Sequence, residues 1–167
     1  MDGDVERSAC SDCGYWHYVN PLPGVTVLVE DAHRVLLVKR REDSHVGGGA
    51  WCLPGGAIEY EEDFLTTGIR ETKEESGIDI AVTSLISAVS NHFDNGLSTI
   101  VIVLLGRPIG GALKPDSSET TDVAWFAPDS LPEMAFEGDT HIIARYFQTP
   151  FAGAPIDHRF LSTGASS

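Results

Sequence analysis

A chain of 167 residues, 42% of them hydrophobic, is long enough to bury one sizeable core and needs no second domain. Its 25 acidic against 11 basic residues give a formal charge of −14, which argues against passive binding to a nucleic acid polymer or an anionic membrane. The longest apolar run, Thr99 to Leu105, is too short to span a bilayer, Met1-Asp-Gly-Asp-Val-Glu has no signal character, and three cysteines form no even framework, so a cytoplasmic protein is expected.

Residues 1 to 9 are polar and expected to fray. Cys10-Ser-Asp-Cys13-Gly14 then reads as half of a zinc knuckle, because a Cys-x-x-Cys turn followed by glycine directs two thiolates at one ion. A closed zinc site needs four ligands. His17 is near enough to be a third, Cys52 is a remote fourth, and a remnant without metal is the favoured reading, with a site shared between subunits as the alternative. Val25 to Val29 and Val35 to Arg41 are apolar, β-branched runs around a short polar turn, the pattern of a hairpin in a buried sheet. Arg40, in the basic cluster that ends the second run, is a candidate phosphate clamp. Residues 44 to 50 read as a flexible loop. Trp51 is expected to pack against the helix that follows and is kept as a candidate substrate contact.

That helix lies in residues 56 to 78. Started near Glu62, it places Leu65, Gly68, Ile69 and Thr72 at i, i+3, i+4 and i+7 on a core-facing stripe, with Glu71, Glu74 and Glu75 on a neighbouring one. Three carboxylates so spaced repel one another, whereas oxygen ligands on a rigid scaffold suit a hard divalent cation such as magnesium. Glu61, Glu62 and Asp63 favour a helix N-terminus and Gly77 can take the left-handed conformation that ends one. Upstream, Leu53-Pro54-Gly55-Gly56 is a turn with so little bulk that a phosphate can approach its backbone. Arg70 suits holding a glutamate by a bidentate contact, with Glu62 the expected partner.

Farther on, Ile78 to Val82 and Leu85 to Val89 read as strands, and Ser90 to Ser98, with His92 and Phe93, as a turn near substrate. Thr99 to Leu105 is the clearest buried strand. Residues 106 to 121, rich in Gly, Pro and Ser, read as a loop carrying Glu119; Asp122 to Phe126 follows as an edge strand, Ala127 to Pro132 as a turn or short helix, and His141 to Gln148 as an amphipathic closing helix. The tail after Pro150 is expected to be mobile.

The run Gly56, five residues, Glu62, seven residues, Arg70-Glu71, then Glu74-Glu75, one residue, Gly77 and Ile78 resembles the signature of the Nudix hydrolases. Thr72 stands where that family usually has an apolar residue, and Glu59-Tyr60-Glu61-Glu62 replaces a common Glu-x-Gly-Glu. The resemblance implies an α/β/α sandwich around a mixed sheet over residues 22 to 150, between a segment 1 to 21 and a tail 151 to 167. It also implies hydrolysis of a nucleoside diphosphate linked to another moiety, using two or three magnesium or manganese ions. Glu71, Glu74 and Glu75 would be ligands, with Glu59 and a carbonyl of Gly55 or Gly56 as additions. The general base would be a helix glutamate or a loop carboxylate, Glu119 being the first choice. Cys10 to Gly14, with His17 to Pro21, also resembles the second half of a zinc ribbon found ahead of some Nudix domains. Together with Leu131 to Phe136 it favours ADP-ribose or a related nucleotide sugar as substrate, with an oxidised nucleoside triphosphate next. A module that binds nucleotide without cleaving it is the non-enzymatic alternative, and a homodimer is allowed.

Overall fold

The computed structural model describes residues 8–17, 20–93, 95–116, 118–149 and 152–157. Among them the elements are β1 (Leu22–Asp31), β2 (Arg34–Arg40), β3 (Trp51–Cys52), β4 (Gly55–Ala57), α1 (Phe64–Ser76), β5 (Ile78–His92), β6 (Ser98–Gly111), β7 (Thr120–Phe126) and α2 (Glu137–Gln148). The expected hairpin is formed by β1 and β2. Ala32 and His33 turn the chain at φ 47° and 61°, and the Glu30 carboxylate accepts the His33 N–H at 2.8 Å. The two strands pair only at Glu30 with Val35 and Asp31 with Arg34, then splay. β1 continues parallel to β6, from Leu22 opposite Thr99 to Val29 opposite Gly106, and antiparallel to β4, while β2 pairs with β3 and β7. The sheet is therefore mixed, in the order β3-β2-β1-β6-β5.

Side-chain alternation along these strands builds a core on each face. Val25, Val27, Val29, Leu36, Val38 and Leu104 point to one side, where Phe64 of α1 joins them; Leu28, Val35, Leu37, Val103 and Leu105 point to the other, against Ile142, Ile143 and Tyr146 of α2. Each fully buried aliphatic side chain contributes roughly 1.5–3 kcal/mol, so both helices are held by the same strands from opposite sides. The result is the α/β/α sandwich.

The motif helix is capped as expected, since the Asp63 carboxylate accepts the Leu65 and Thr66 N–H groups and Gly77 is left-handed at φ 76°. Its rotation differs. The buried face is Thr67, Gly68, Glu71, Thr72, Glu75 and Ser76, whereas Ile69 is exposed and Leu65 only half-buried. Gly68 sets this phase: a Cβ there would meet Leu104 at 3.0 Å and Val27 at 3.2 Å, so the helix lies against the sheet on its small residues and turns Ile69 outward. The same rotation buries Glu71 and Glu75.

Other expectations need correction. Trp51 does not pack on α1; it meets Phe126 edge-on at 4.8 Å, and its backbone exchanges hydrogen bonds with Glu133 and Ala135 on the α2 side. The two strands expected over 78 to 89 are one, β5, with register shifts at Asp79/Ile80, Val82/Ser84 and Leu85/Ser87. β6 runs on to Gly111 because Ile78 to Val82 supplies a pairing partner for the Gly- and Pro-rich segment, and the loop shrinks to residues 112 to 119. The turn after β5 is likewise shorter, with Phe93 N–H bonded to Leu97 O. α2 begins at Glu137, four residues before the sequence pattern placed it. Ala154 pairs antiparallel with Leu85, so the first part of the tail is docked on β5. Residues 1 to 7 of the segment expected to fray, Tyr18 and Val19 of the zinc-ribbon resemblance, and Phe151 and residues 158 to 167 of the expected mobile tail lie outside the described residues.

Candidate metal centre

Arg70 organises the acidic face of α1. Its Nε and Nη2 donate to the two oxygens of Glu62, each at 2.8 Å, and its Nη1 donates to Glu71 at 3.0 Å and Glu74 at 2.9 Å. Glu62 also accepts the Thr67 hydroxyl at 2.8 Å, and these bonds hold its carboxyl down at about 2. The bidentate contact with Glu62 is the one the sequence suggested, and the same guanidinium also spaces Glu71 and Glu74, which would otherwise repel.

Glu71 rests on Gly56. A Cβ at Gly56 would lie 2.5 Å from the Glu71 Cδ, so the absence of a side chain there is what admits the carboxylate. Gly55 N–H donates to Glu75 Oε2 at 2.9 Å, binding the same turn to the helix one turn farther on. Burial pushes the Glu75 carboxyl up to about 8, with Glu71 and Glu119 adding repulsion and the Gly55 bond opposing. Burial raises Glu71 as well, against the pull of Arg70.

Glu119 arrives from the other side of the cleft. Its loop is held by Asp116, whose carbonyl accepts the Thr120 N–H at 2.7 Å and whose carboxylate accepts the Ser118 N–H at 2.9 Å. The buried Thr120 hydroxyl donates to the Glu75 carbonyl at 3.1 Å, tying the loop to the end of α1. Oxygens of Glu71, Glu75 and Glu119 consequently lie within 4.8 Å of one another. Three converging carboxylates, two of them buried with their ionisation opposed by desolvation and by each other, fit a hard divalent cation, which would relieve both penalties.

The remaining sequence candidates fall around this group. Glu74 is exposed and turned to Arg70, and Glu59 is exposed; neither is in the converging set. Arg40 donates from Nε to Val46 O at 2.9 Å, lies 5.5 Å from the Phe136 ring, and borders both the acidic cleft and an apolar cavity of about 260 Å³. Gly55 and Gly56 form the shared wall of that cavity and the acidic group, and Phe93, from the turn expected near substrate, lines it. Trp51 is outside that lining. Cys10, Cys13 and His17 are exposed around a small turn in which Gly14 N–H bonds Cys10 O. Among the described residues they do not join any group of three metal-capable side chains. Cys52 is buried, its thiol pushed up to about 12 by desolvation.

Sequence reasoning missed Thr120, Asp116 and Asp139. Asp139, in the first turn of α2, is buried in the cavity wall, where its Oδ2 accepts the Leu53 N–H at 3.0 Å; burial pushes its carboxyl up to about 6. Glu137 and Asp139, an acidic pair just ahead of the apolar stripe of His141 to Gln148, mark a helix start and were the signal available for it.

A mixed sheet between two helices, with converging carboxylates on the helix that follows a Gly-Gly turn, defines the class as an α/β/α sandwich with a candidate cation site on its motif helix. Within it the chain belongs to the Nudix family, whose NUDIX domain matches residues 20–146. It is 32% identical over 126 residues to the NAD-capped RNA hydrolase NudC of Vibrio atlanticus, an alignment covering 75% of this chain and 45% of that protein, so the chain spans about half the length of that relative. It is 32% identical over 124 residues to the ADP-ribose pyrophosphatase of Methanocaldococcus jannaschii, covering 74% and 72%. A NUDIX hydrolase from Nitrosomonas europaea superposes with a TM-score of 0.74 at 26% identity, covering 91% of this chain and 84% of that one. No helix of the described residues is long and apolar enough to cross a membrane.

Proposed function

We propose that this chain hydrolyses the pyrophosphate link of a nucleoside diphosphate joined to another moiety, ADP-ribose or a related nucleotide sugar. The observation that carries the reading is the convergence of Glu71, Glu75 and Glu119 at the Gly55-Gly56 end of an apolar cavity. A pyrophosphate resting on that turn has its nucleoside beside the cavity and its phosphorus beside the carboxylates. The likeness to the M. jannaschii pyrophosphatase supports the substrate class. The charge of −14 disfavours an RNA chain as part of it.

Glu71, Glu75 and Glu119 would hold the divalent cation, magnesium or manganese, which when bound neutralises charge on the phosphate oxygens. The Gly55-Gly56 backbone lets a phosphate approach, and Arg40, at the border of cleft and cavity, pairs with it. Arg70 fixes Glu71. Glu119, the exposed member of the three, takes the proton of the attacking water at its carboxylate as the water oxygen bonds to phosphorus and the bridging P–O bond breaks. A cytoplasmic location and a homodimer go with this reading; sizing chromatography tests the latter.

The test is a panel of nucleoside diphosphate derivatives with magnesium, read by product chromatography. ADP-ribose should give AMP and ribose 5-phosphate, and turnover should collapse in Glu75→Gln while the fold persists. Near-normal turnover in that variant removes the assignment.

A further inference from the structure

Cys10 and Cys13 line neither the acidic cleft nor the apolar cavity, and the proposed hydrolysis does not use them. They sit on a short hairpin of exposed residues. Ala9 bridges Trp16 antiparallel, the Cys10 N–H donates to the Tyr15 carbonyl at 2.7 Å, and the His17 N–H donates to the Ser8 carbonyl at 2.8 Å. The Gly14 N–H closes the turn on the Cys10 carbonyl at 2.9 Å, with Gly14 left-handed at φ 74°.

This turn wraps the backbone around one sulfur. The Cys13 and Asp12 N–H groups donate to the Cys10 sulfur, the Cys13 thiol hydrogen-bonds to it as well, and these contacts lower the Cys10 thiol below its ordinary value. Donors aimed at a sulfur favour the thiolate, which is both the metal ligand and the nucleophile of cysteine chemistry. A closed zinc site needs four ligands, and among the described residues no third metal-capable side chain converges with this pair. The arrangement is therefore an exposed thiolate with a second thiol in contact. Cys52 is the opposite case, buried and with its thiol pushed up to about 12 by desolvation.

We propose that Cys10 and Cys13 form a dithiol–disulfide exchange site for low-molecular-weight disulfides, with Cys10 the attacking sulfur and Cys13 the resolving one. In the first step the Cys10 sulfur bonds to one sulfur of the small disulfide, whose S–S bond breaks, and the other half leaves as a thiolate. In the second, Cys13 gives its proton to solvent and attacks the Cys10 sulfur; the mixed disulfide breaks and the second small thiolate leaves. Two electrons pass from the protein dithiol to the small disulfide, which ends as two thiols. The site does not depend on the pyrophosphatase reading.

The test starts from the zinc content of the full chain as isolated. The chain is then treated with glutathione disulfide in EDTA without oxygen, quenched with acid, and read by intact-mass and peptide analysis. Wild type should lose the mass of two hydrogens, keep no glutathione, and yield a peptide cross-linked between Cys10 and Cys13. Cys13→Ser retains the backbone donors at Cys10 but has no resolving thiol, so it should stop with one glutathione on Cys10. Cys10→Ser should react about 3- to 10-fold more slowly than Cys13→Ser, the gain from a larger thiolate fraction less the loss in intrinsic nucleophilicity. Cys52 should stay unmodified in all three proteins, which also checks that each is folded. Wild type left with glutathione on either cysteine, no reaction at either, or equal rates in the two variants would each overturn the proposal. So would stoichiometric zinc in the isolated protein that Cys10→Ser loses.

Discussion

Replacing Gly56 by alanine adds one methyl group and should separate activity from stability. The Cβ would lie 2.5 Å from Glu71 Cδ and 3.0 Å from its Oε2. Ordinary carbon contacts begin at about 3.5 Å, so the carboxylate has to retreat by about 1 Å. A misplacement of about 1 Å in a reacting group lowers rate on the order of 100-fold. The group displaced is the far end of a flexible side chain, so the cost to folding should be about 1 kcal/mol or less. Turnover of ADP-ribose against magnesium concentration is the assay, with thermal melting as the control. Gly56→Ala should melt near wild type, show a kcat/KM lower by about 100-fold, and need more magnesium for half-maximal rate. Normal turnover at normal magnesium would show that Glu71 does not need its position against Gly56, and the site geometry argued above would be wrong.

Three further outcomes follow from the same contacts. Glu119→Gln should lower kcat by about 10²- to 10⁴-fold, the range for removing a general base, and a kcat against pH profile should lose its acidic limb; an unchanged limb assigns the base elsewhere. Arg70→Lys keeps the charge but cannot hold Glu62 through two bonds while reaching Glu71 and Glu74, so magnesium affinity should weaken by about 10- to 100-fold, read by titration of activity. For pH, Glu75 has a folded value of about 8 above its ordinary 4.5, and Asp139 about 6 above 3.8. Each therefore binds protons more tightly when folded. Their contribution to stability is fully present below about pH 4, and is lost as pH rises through about 6 for Asp139 and 8 for Glu75. In EDTA the melting temperature should fall between pH 5 and pH 8, and magnesium should restore more of it at pH 8 than at pH 6. A melting temperature that climbs steadily over that interval contradicts the assigned burial.

What was legible in the sequence is what lies close along the chain. Asp63, Glu62, Arg70, Glu71, Glu75 and Gly77 sit within one helix and its caps, where spacing fixes relative position; the structure caps the helix with Asp63 and Gly77 and pairs Arg70 with Glu62. Ile69 was misplaced because periodicity gives the width of an apolar stripe but not its phase. The phase is set by Gly68 touching Leu104 and Val27, a contact across 36 and 41 positions. The same misreading had consequences for the carboxylates, since it made all three look like equivalent ligands on one stripe, whereas the true rotation buries Glu71 and Glu75 and leaves Glu74 outside. β6 was read short for a related reason. Gly and Pro favour loops in isolation, but Ile78 to Val82 was already an extended partner for them.

Glu119 and Asp139 mark the limit of local reading, because both matter through backbone groups distant in sequence. Glu119 could be guessed as a carboxylate in a loop before a strand. What makes it part of a site is Thr120, whose hydroxyl reaches back 45 positions to the Glu75 carbonyl. Asp139 reaches 86 positions to Leu53. Both contacts converge on the loop and helix end that the motif already specified, so the motif acts as the fixed frame and distant residues attach to its backbone. Substitutions in the motif side chains should accordingly remove chemistry in a way that is the same for every substrate. Substitutions at Asp139 should instead release the Leu53 N–H and lower stability, while the chemistry at Glu71 and Glu75 persists.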